Sequence, residues 1–197
     1  KKPSYGALLA NCHALARYAA LCQEAGIVPI VEPEVIMDGG ATHDADTSYR
    51  VTEWALKTLY EQLYYANVDL TGTLLKPSMV IAGQKSPAQI SAQEVAERTV
   101  QLLKACVPAA VPGIAFLSGG QSDEQATEHL SLMNAICGLP WKLTFSYGRA
   151  LQAAALKAWG GKDANVAAGQ RAFTHRARMN ALAAAGAWVP ASEKEAA

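Results

Sequence analysis

Residues 112–122 read PGIAFLSGGQS, and this stretch decides the fold. Its first part is almost continuously apolar, as is typical of a strand buried on both faces, and it leads into a glycine-rich turn. Ser122 and Gln125 then have the spacing of a capping box, which opens a helix that we predict to run to Cys137. A strand, a turn and a helix in this order indicate one βα unit.

Three further stretches have the same character. Each is short and apolar and stands between segments that we predict to be helical. The apolar residues of the first two such segments recur every three or four positions, the spacing of a helix; the next two open with capping boxes, and the last two are rich in alanine, a strong helix former. The predicted strands cover residues 26–32, 70–77, 112–119 and 141–148, and the predicted helices cover residues 4–25, 47–67, 91–106, 122–137, 149–159 and 166–185. Strands that alternate with helices pair in parallel, because a parallel connection needs a crossover. The pattern predicts an α/β fold, either a small doubly wound sheet or half of a (β/α)8 barrel, since a closed barrel needs about 250 residues.

Composition narrows the function classes. The chain has 197 residues, of which 51% are apolar and 17% charged, enough for one core. Lys plus Arg and Asp plus Glu number 17 each, so the sequence lacks the basic excess of a nucleic-acid or anionic-membrane binder. The four cysteines are far apart and predict reduced, mostly buried thiols and no metal site.

Polar side chains follow each predicted strand. In parallel α/β folds the chemistry lies at the carboxyl ends of the strands, and here those ends carry Glu32, Lys76, Ser118, and Ser146 with Arg149 just beyond. This convergence predicts a functional site at one edge of the sheet.

Lys76 admits two interpretations. A lysine at a strand end can simply extend into water. Alternatively, an amine held in an apolar pocket loses its charge more easily and attacks a ketone to form a Schiff base, an electron sink for carbon–carbon chemistry. Glu32 and Glu34 flank Pro33 and supply an acid that could expel water during that reaction, although each could equally be the ion-pair partner of a lysine.

Two turns have the features of anion sites. Residues 118–122 form a glycine-rich turn before a helix, where backbone N–H groups and the helix dipole favour negative charge. Residues 146–149 repeat the arrangement and add the guanidinium of Arg149, which can bind a phosphate with two parallel hydrogen bonds. Together they predict a phosphorylated substrate.

Residues 27–34, 72–77, 116–122 and 143–161 resemble, in this order, the signature segments of class I (Schiff-base) fructose-1,6-bisphosphate aldolases. The resemblance implies that residues 1–190 are the last four βα units of a (β/α)8 TIM barrel and that residues 191–197 are a tail. It implies a glycolytic and gluconeogenic lyase that cleaves fructose 1,6-bisphosphate reversibly to dihydroxyacetone phosphate and glyceraldehyde 3-phosphate. It further implies sugar phosphates as ligands, a cytoplasmic homo-oligomer (a tetramer in the family), no cofactor or metal, and no nucleic-acid or membrane partner.

The resemblance also implies roles for single residues. Lys76 corresponds to the Schiff-base lysine, Glu32 to the acid/base for carbinolamine dehydration, and Glu34 to a neighbour that orients or tunes the site. Phosphate would be held by Ser118, Gly119, Gly148 and Arg149, with Leu117 and Ser146 lining the same wall.

The chain matches only the second half of the family's barrel. An aspartate that handles the hydroxyl proton, a fourth-strand lysine and the contacts to the distal phosphate belong to the unmatched half, and residues 192–197 lack the terminal tyrosine of many animal members. Half a barrel would leave two strand edges unpaired and its apolar interior exposed, so we expect a fragment of a longer polypeptide.

Alternative functions remain. The chain could be an inactive fragment or a non-catalytic binding or scaffolding module of the same fold. It could also be another Schiff-base aldolase of phosphorylated sugars, such as a transaldolase or a deoxyribose-phosphate aldolase. A nucleotide-binding domain is disfavoured, because no Gly-x-Gly-x-x-Gly follows the first strand.

Overall fold

The structure is a computed structural model that describes residues 2–194; Lys1 and residues 195–197, the end of the predicted tail, lie outside the described residues. Helices and strands alternate along the chain as predicted. The helices are α1 (Tyr5–Glu24), α2 (Ala45–Tyr65), α3 (Ala92–Cys106), α4 (Asp123–Asn134), α5 (Arg149–Trp159) and α6 (Val166–Ala184), and the strands are β1 (Ile30–Val31), β2 (Leu74–Leu75), β3 (Gly113–Phe116) and β4 (Lys142–Phe145). Short 3-10 helices cover Leu70–Gly72, Asp163–Asn165 and Pro190–Lys194.

The four strands form one parallel sheet in the order β1-β2-β3-β4, so each strand pairs with the next one along the chain. Within the described residues, β1 and β4 are its two edges. Four sequential parallel βα units are the arrangement of half a (β/α)8 barrel, and this prediction is confirmed.

Only one face of the sheet is fully covered by helices. Val31, Ile114 and Leu143 point to that face and are buried, whereas Ile30 on the other face is 42% exposed. The prediction of strands buried on both faces holds for β3, whose four residues are all buried, and in part for β2. It is wrong for the edge strands β1 and β4, whose residues alternate in burial. An edge strand of a half barrel has no second layer over its inner face, so its side chains alternate in burial.

The strands are shorter than predicted. Residues 70–72 form a 3-10 helix instead of the start of a strand, because Asp69 caps the turn by accepting a hydrogen bond from the amide of Thr71 (2.9 Å). At the other end, Pro77 follows Lys76 and cannot donate to a ladder, so regular pairing ends there.

Capping side chains set the helix starts. The helix α2 starts at Ala45, two residues earlier than predicted, because the carboxylate of Asp44 caps it by accepting a hydrogen bond from the amide of Thr47 (2.8 Å). The capping box at Ser122 is confirmed by both of its hydrogen bonds with Gln125. Ser91 caps α3, but the side chain of Glu94 pairs with Arg98 instead of returning to the cap.

The last described segment is held against α4 and α6. Arg176 of α6 donates from Nη1 to both carboxylate oxygens of Glu193 (2.8 and 2.7 Å) and from Nη2 to Oγ1 of Thr127 (2.6 Å). Trp188 donates to the same carboxylate (3.0 Å), and its carbonyl accepts from Ser131 (3.2 Å). Residues 188–193 are therefore packed against these helices.

All four cysteines are free thiols, but the prediction that most are buried is wrong: only Cys12 is fully buried, and Cys137 is exposed. No helix among residues 2–194 combines the length and apolarity needed to cross a membrane.

Candidate active site

Backbone hydrogen bonds bring the carboxyl ends of the four strands to one edge of the sheet. The amide of Lys76 donates to the carbonyl of Val31 (2.8 Å), and the amide of Leu117 donates to the carbonyl of Pro77 (3.2 Å). The amide of Ser146 donates to the carbonyl of Phe116 (2.9 Å). The polar residues that follow the strands are thus neighbours, as the sequence predicted.

Lys76 and Glu32 are in direct contact. Nζ of Lys76 lies 3.0 Å from Oε1 of Glu32, and the two side chains are 21% and 40% exposed. The amine is therefore mostly sheltered but open on one side, and its immediate neighbour is a carboxylate. An amine and a carboxyl at hydrogen-bond distance can exchange a proton, which is the first requirement of general acid–base chemistry.

Glu34 has different surroundings, although only Pro33 separates it from Glu32. Its Oε1 lies near Gly119, where an added Cβ would be 3.4 Å from that oxygen and 3.2 Å from Leu117. Glu34 therefore contacts the turn that follows β3, and the absence of a side chain at Gly119 leaves room for its carboxylate. The structure thus separates the two carboxylates that spacing alone did not distinguish.

Ser78 is a residue that sequence reasoning missed. Its buried hydroxyl contacts both backbone groups of Val35, with the Val35 amide donating to Oγ and Oγ lying 3.1 Å from the carbonyl. These bonds fix the segment that carries Glu32 and Glu34 to the segment that follows Lys76. No local pattern could have revealed them, because the two residues are 43 positions apart.

The two predicted anion turns differ in electrostatics. The helix α4 starts with Asp123 and Glu124, and the Ser122 side chain already caps it, so its N-terminus disfavours a further anion. The helix α5 has Gly148 as its N-cap residue, without a side-chain cap, and has no acidic residue in its first turn. The N-terminus of α5 is therefore the better anion site of the two.

The residues around the start of α5 are well anchored. Ser146 is half-buried, and the next residue, Tyr147, is buried and donates its hydroxyl proton to the carbonyl of Ala126 (2.9 Å). Burial raises the pKa of Tyr147, so its hydroxyl stays a neutral donor. This bond ties the end of β4 to α4 and sets the direction in which Gly148 and Arg149 leave the sheet.

Ser118 and Leu117 lie between these groups and are both buried. The amide of Gln121 donates to the carbonyl of Ser118 (3.2 Å), which closes the turn. Gly120 has a φ of +77° and presses against Met37, so that an added Cβ would lie 2.7 Å from the Met37 Cβ. The β3–α4 turn and the β1–α2 loop are therefore in contact.

The side chain of Arg149 has an acidic partner. Its Nη2 forms an ion pair with Oδ2 of Asp38, a residue of the β1–α2 loop to which the sequence analysis gave no role. The guanidinium is 70% exposed and the carboxylate 30% exposed. Within the described residues, no cluster of three or more His, Cys, Asp or Glu side chains is arranged to hold a metal ion.

Comparisons with known proteins identify one family. The sequence model of the family "Glycolytic: Fructose-bisphosphate aldolase class-I" matches residues 1–197. A probable fructose-bisphosphate aldolase class 1 from Xanthomonas axonopodis pv. citri is 58% identical over 188 residues, which cover 94% of this chain and 55% of that protein. Fructose-bisphosphate aldolase A from Salmo salar is 52% identical over 197 residues, covering 99% of this chain and 53% of that protein.

A solved structure has the same fold. A fructose-bisphosphate aldolase from Plasmodium falciparum, crystallised with TRAP and a small-molecule inhibitor, superposes with a TM-score of 0.91 at 44% identity, over 95% of this chain and 53% of that one. The chain thus spans about half the length of the relatives it matches. The family match over the whole chain, the identity to these relatives and the shared fold together show that the chain belongs to the class I fructose-bisphosphate aldolase family.

Proposed function

We propose that this chain supplies the Schiff-base half of an enzyme that cleaves fructose 1,6-bisphosphate reversibly to dihydroxyacetone phosphate and glyceraldehyde 3-phosphate. The observation that carries the proposal is the 3.0 Å contact between Nζ of Lys76 and Oε1 of Glu32 at the carboxyl edge of the sheet. A lysine that reacts with a ketone needs a partner that can take and return protons, and Glu32 is in reach to do both.

In the proposed reaction, Glu32 takes a proton from the Lys76 ammonium, and the free amine adds to the C2 carbonyl of the ketose. One proton then moves from the nitrogen to the former carbonyl oxygen, which gives a neutral carbinolamine. The carbinolamine hydroxyl then takes a proton, again from Glu32, and leaves as water, so that an iminium forms on Lys76. The C3–C4 bond breaks as the C4 hydroxyl gives its proton to a base, and the bonding electrons move to the iminium nitrogen to give an enamine. Protonation at C3 and addition of water release dihydroxyacetone phosphate. We place the base for the C4 hydroxyl in the part of the relatives that this chain does not match.

We further propose that the phosphate of the dihydroxyacetone half binds between the turn at Ser118 and Gly119 and the start of α5 at Gly148 and Arg149. Two features support this site: the uncapped N-terminus of α5 and the guanidinium beside it. Leu117 and Ser146 would form the wall between the two phosphate contacts, and Glu34 would orient the turn through Gly119. A homo-oligomer in the cytoplasm, with no resident cofactor, belongs to the same proposal.

Reductive trapping tests the proposal. The chain is incubated with dihydroxyacetone phosphate and borohydride, its intact mass is measured, and the modified peptide is mapped. We expect a reduced adduct at Lys76 that is lost in Lys76→Ala and kept in Lys85→Ala, a matched substitution of an exposed loop lysine. An adduct that persists in Lys76→Ala, or the lack of any adduct, would contradict the mechanism. Phosphate binding without an adduct would indicate a non-catalytic binding module.

A further inference from the structure

The ion pair between Arg149 and Asp38 connects the first residue of α5 to the β1–α2 loop. The two residues are 111 positions apart, with Asp38 following β1 and Arg149 following β4, the two edges of the sheet. Met37, directly before Asp38, contacts Gly120 in the turn after β3. The ion pair therefore reaches across the carboxyl end of the sheet, where the β3–α4 turn also lies.

This contact occupies the side chain that the phosphate needs. Nη2 of Arg149 is bonded to a carboxylate, so an incoming phosphate must share or replace that bond. A second negative charge at this place also repels a phosphate dianion. Because the guanidinium is 70% exposed, the pair is of the weak, solvent-screened kind that another anion can replace.

From these observations, and resting on the phosphate site of the proposed function, we propose that Asp38 is a competing carboxylate that holds Arg149 in the empty site and is displaced by the phosphate group of the ligand. A ligand with a singly charged carboxylate would only replace the carboxylate of Asp38 with an equivalent one. A doubly charged phosphate interacts more strongly with the guanidinium than Asp38 does, so its exchange is favourable. Asp38 therefore makes Arg149 selective for phosphate at the expense of affinity.

The test is a titration of the chain with inorganic phosphate, followed through the amide NMR signals of Gly119 and Gly148. Asp38→Asn should bind phosphate roughly two- to five-fold more tightly than the unchanged chain, the range that corresponds to the loss of an exposed ion pair. The gain should shrink as the salt concentration rises. Asp163→Asn is the matched control, because it removes the same formal charge from an exposed 3-10 helix. The phosphate affinity of this variant should equal that of the unchanged chain.

A second background separates competition from simple repulsion. In Arg149→Gln, the further change Asp38→Asn should give a clearly smaller gain in affinity, because it then removes only the repulsion and no guanidinium is left to compete for. The inference is overturned if the gain is equal in both backgrounds, or if no variant binds phosphate. It is also overturned if Asp38→Asn leaves the affinity for phosphate unchanged or lowers it, and a lower affinity is expected if Asp38 only orients Arg149. The borohydride adduct at Lys76 reports on the proposed chemistry separately: an adduct with no effect of Asp38→Asn rejects only the competition, and an effect without an adduct rejects only the Schiff base.

Discussion

The carboxylate of Glu32 lies 3.0 Å from the amine of Lys76. Glu34, two residues further along the same segment, has its carboxylate beside Gly119 instead. The two acids of one short sequence therefore have different neighbours: Glu32 contacts the amine, and Glu34 lies beside the turn that follows β3.

We expect Glu32→Gln to slow formation of the reduced Lys76 adduct by about 10²- to 10⁴-fold, the usual contribution of a general acid–base group. Glu34→Gln should slow it far less, because an amide can still contact the turn at Gly119. The rate of adduct formation under borohydride, measured by mass spectrometry on both variants, checks this order. Equal rates in the two variants would show that proximity to Lys76 does not decide which of the two glutamates acts as the acid–base group.

His129 should make the fold sensitive to mild acid. Burial lowers the pKa of His129 to about 4, and its Nδ1 lies 2.6 Å from Oε1 of Gln121. The unfolded chain takes up a proton near pH 6.5, and the folded chain does so only near pH 4, so the free energy of unfolding falls as the pH is lowered between these values. At pH 5 the loss should be about 2 kcal/mol relative to pH 7.5. Urea unfolding of the unchanged chain and of His129→Gln measures it, and parallel pH profiles would contradict the expectation.

Loss of the Arg176 side chain should be severe. Its side chain is 5% exposed, and Arg176→Met would leave the carboxylate of Glu193, which is 14% exposed, without its main partner. Although burial raises the pKa of Glu193, hydrogen bonds from Arg176 and His175 hold it below its usual range, so the carboxylate stays charged. We expect a loss of about 3–5 kcal/mol of unfolding free energy.

Arg178→Met, on the exposed side of the same helix, is the matched control and should change stability by less than about 0.5 kcal/mol. Adding Glu193→Gln to Arg176→Met should recover part of the loss, because no unpaired charge then remains. Urea denaturation of the three variants measures these differences. Equal losses from Arg176→Met and Arg178→Met would show that the buried pair is not a main support of the fold.

Gly120 and Gly138 offer a matched pair of substitutions. Both have positive φ angles, +77° and +73°, but an added Cβ meets Met37 at 2.7 Å only at Gly120 and meets nothing within 4 Å at Gly138. Each change to Ala should cost about 1–2 kcal/mol for the backbone conformation. Gly120→Ala should cost about a further 1–3 kcal/mol because Met37 must move. Thermal or urea unfolding compares the free energies of unfolding of the two variants. Equal losses would show that Met37 and the β1–α2 loop can move without a measurable energetic cost.

Local patterns predicted the helices better than the strands. Apolar residues at three- and four-residue spacing located α1 and α2, capping-box sequences located the starts of α3 and α4, and alanine-rich helix propensity located α5 and α6. All of these signals are local to the helix itself. The strand ends depended on neighbours instead: residues 70–72 leave the sheet because of the Asp69 cap, and β4 alternates because no layer covers its inner face. Burial on both faces is a property of the whole barrel and not of one segment.

The site was predictable where it follows from topology. Parallel strands bring their carboxyl ends together, so Lys76 and Glu32 could be expected to meet. The contacts of Ser78 with Val35 and of Asp38 with Arg149 could not, because the partners are 43 and 111 positions apart and no local pattern marks them as partners. The acidic start of α4 was visible in the sequence at Asp123 and Glu124, but its effect on anion binding became clear only in comparison with α5.

The sheet order β1-β2-β3-β4 has a consequence for synthesis on the ribosome. The strands β2, β3 and β4 each pair with the strand that was made just before them, so none of the three has to wait for a more distant part of the chain. Pairing between sequence neighbours keeps the closed loops shorter than pairing between more distant strands would, which lowers the entropic cost of forming each pair. The chain can therefore extend its sheet by one βα unit at a time as it leaves the exit tunnel, with each new helix covering the strand that preceded it.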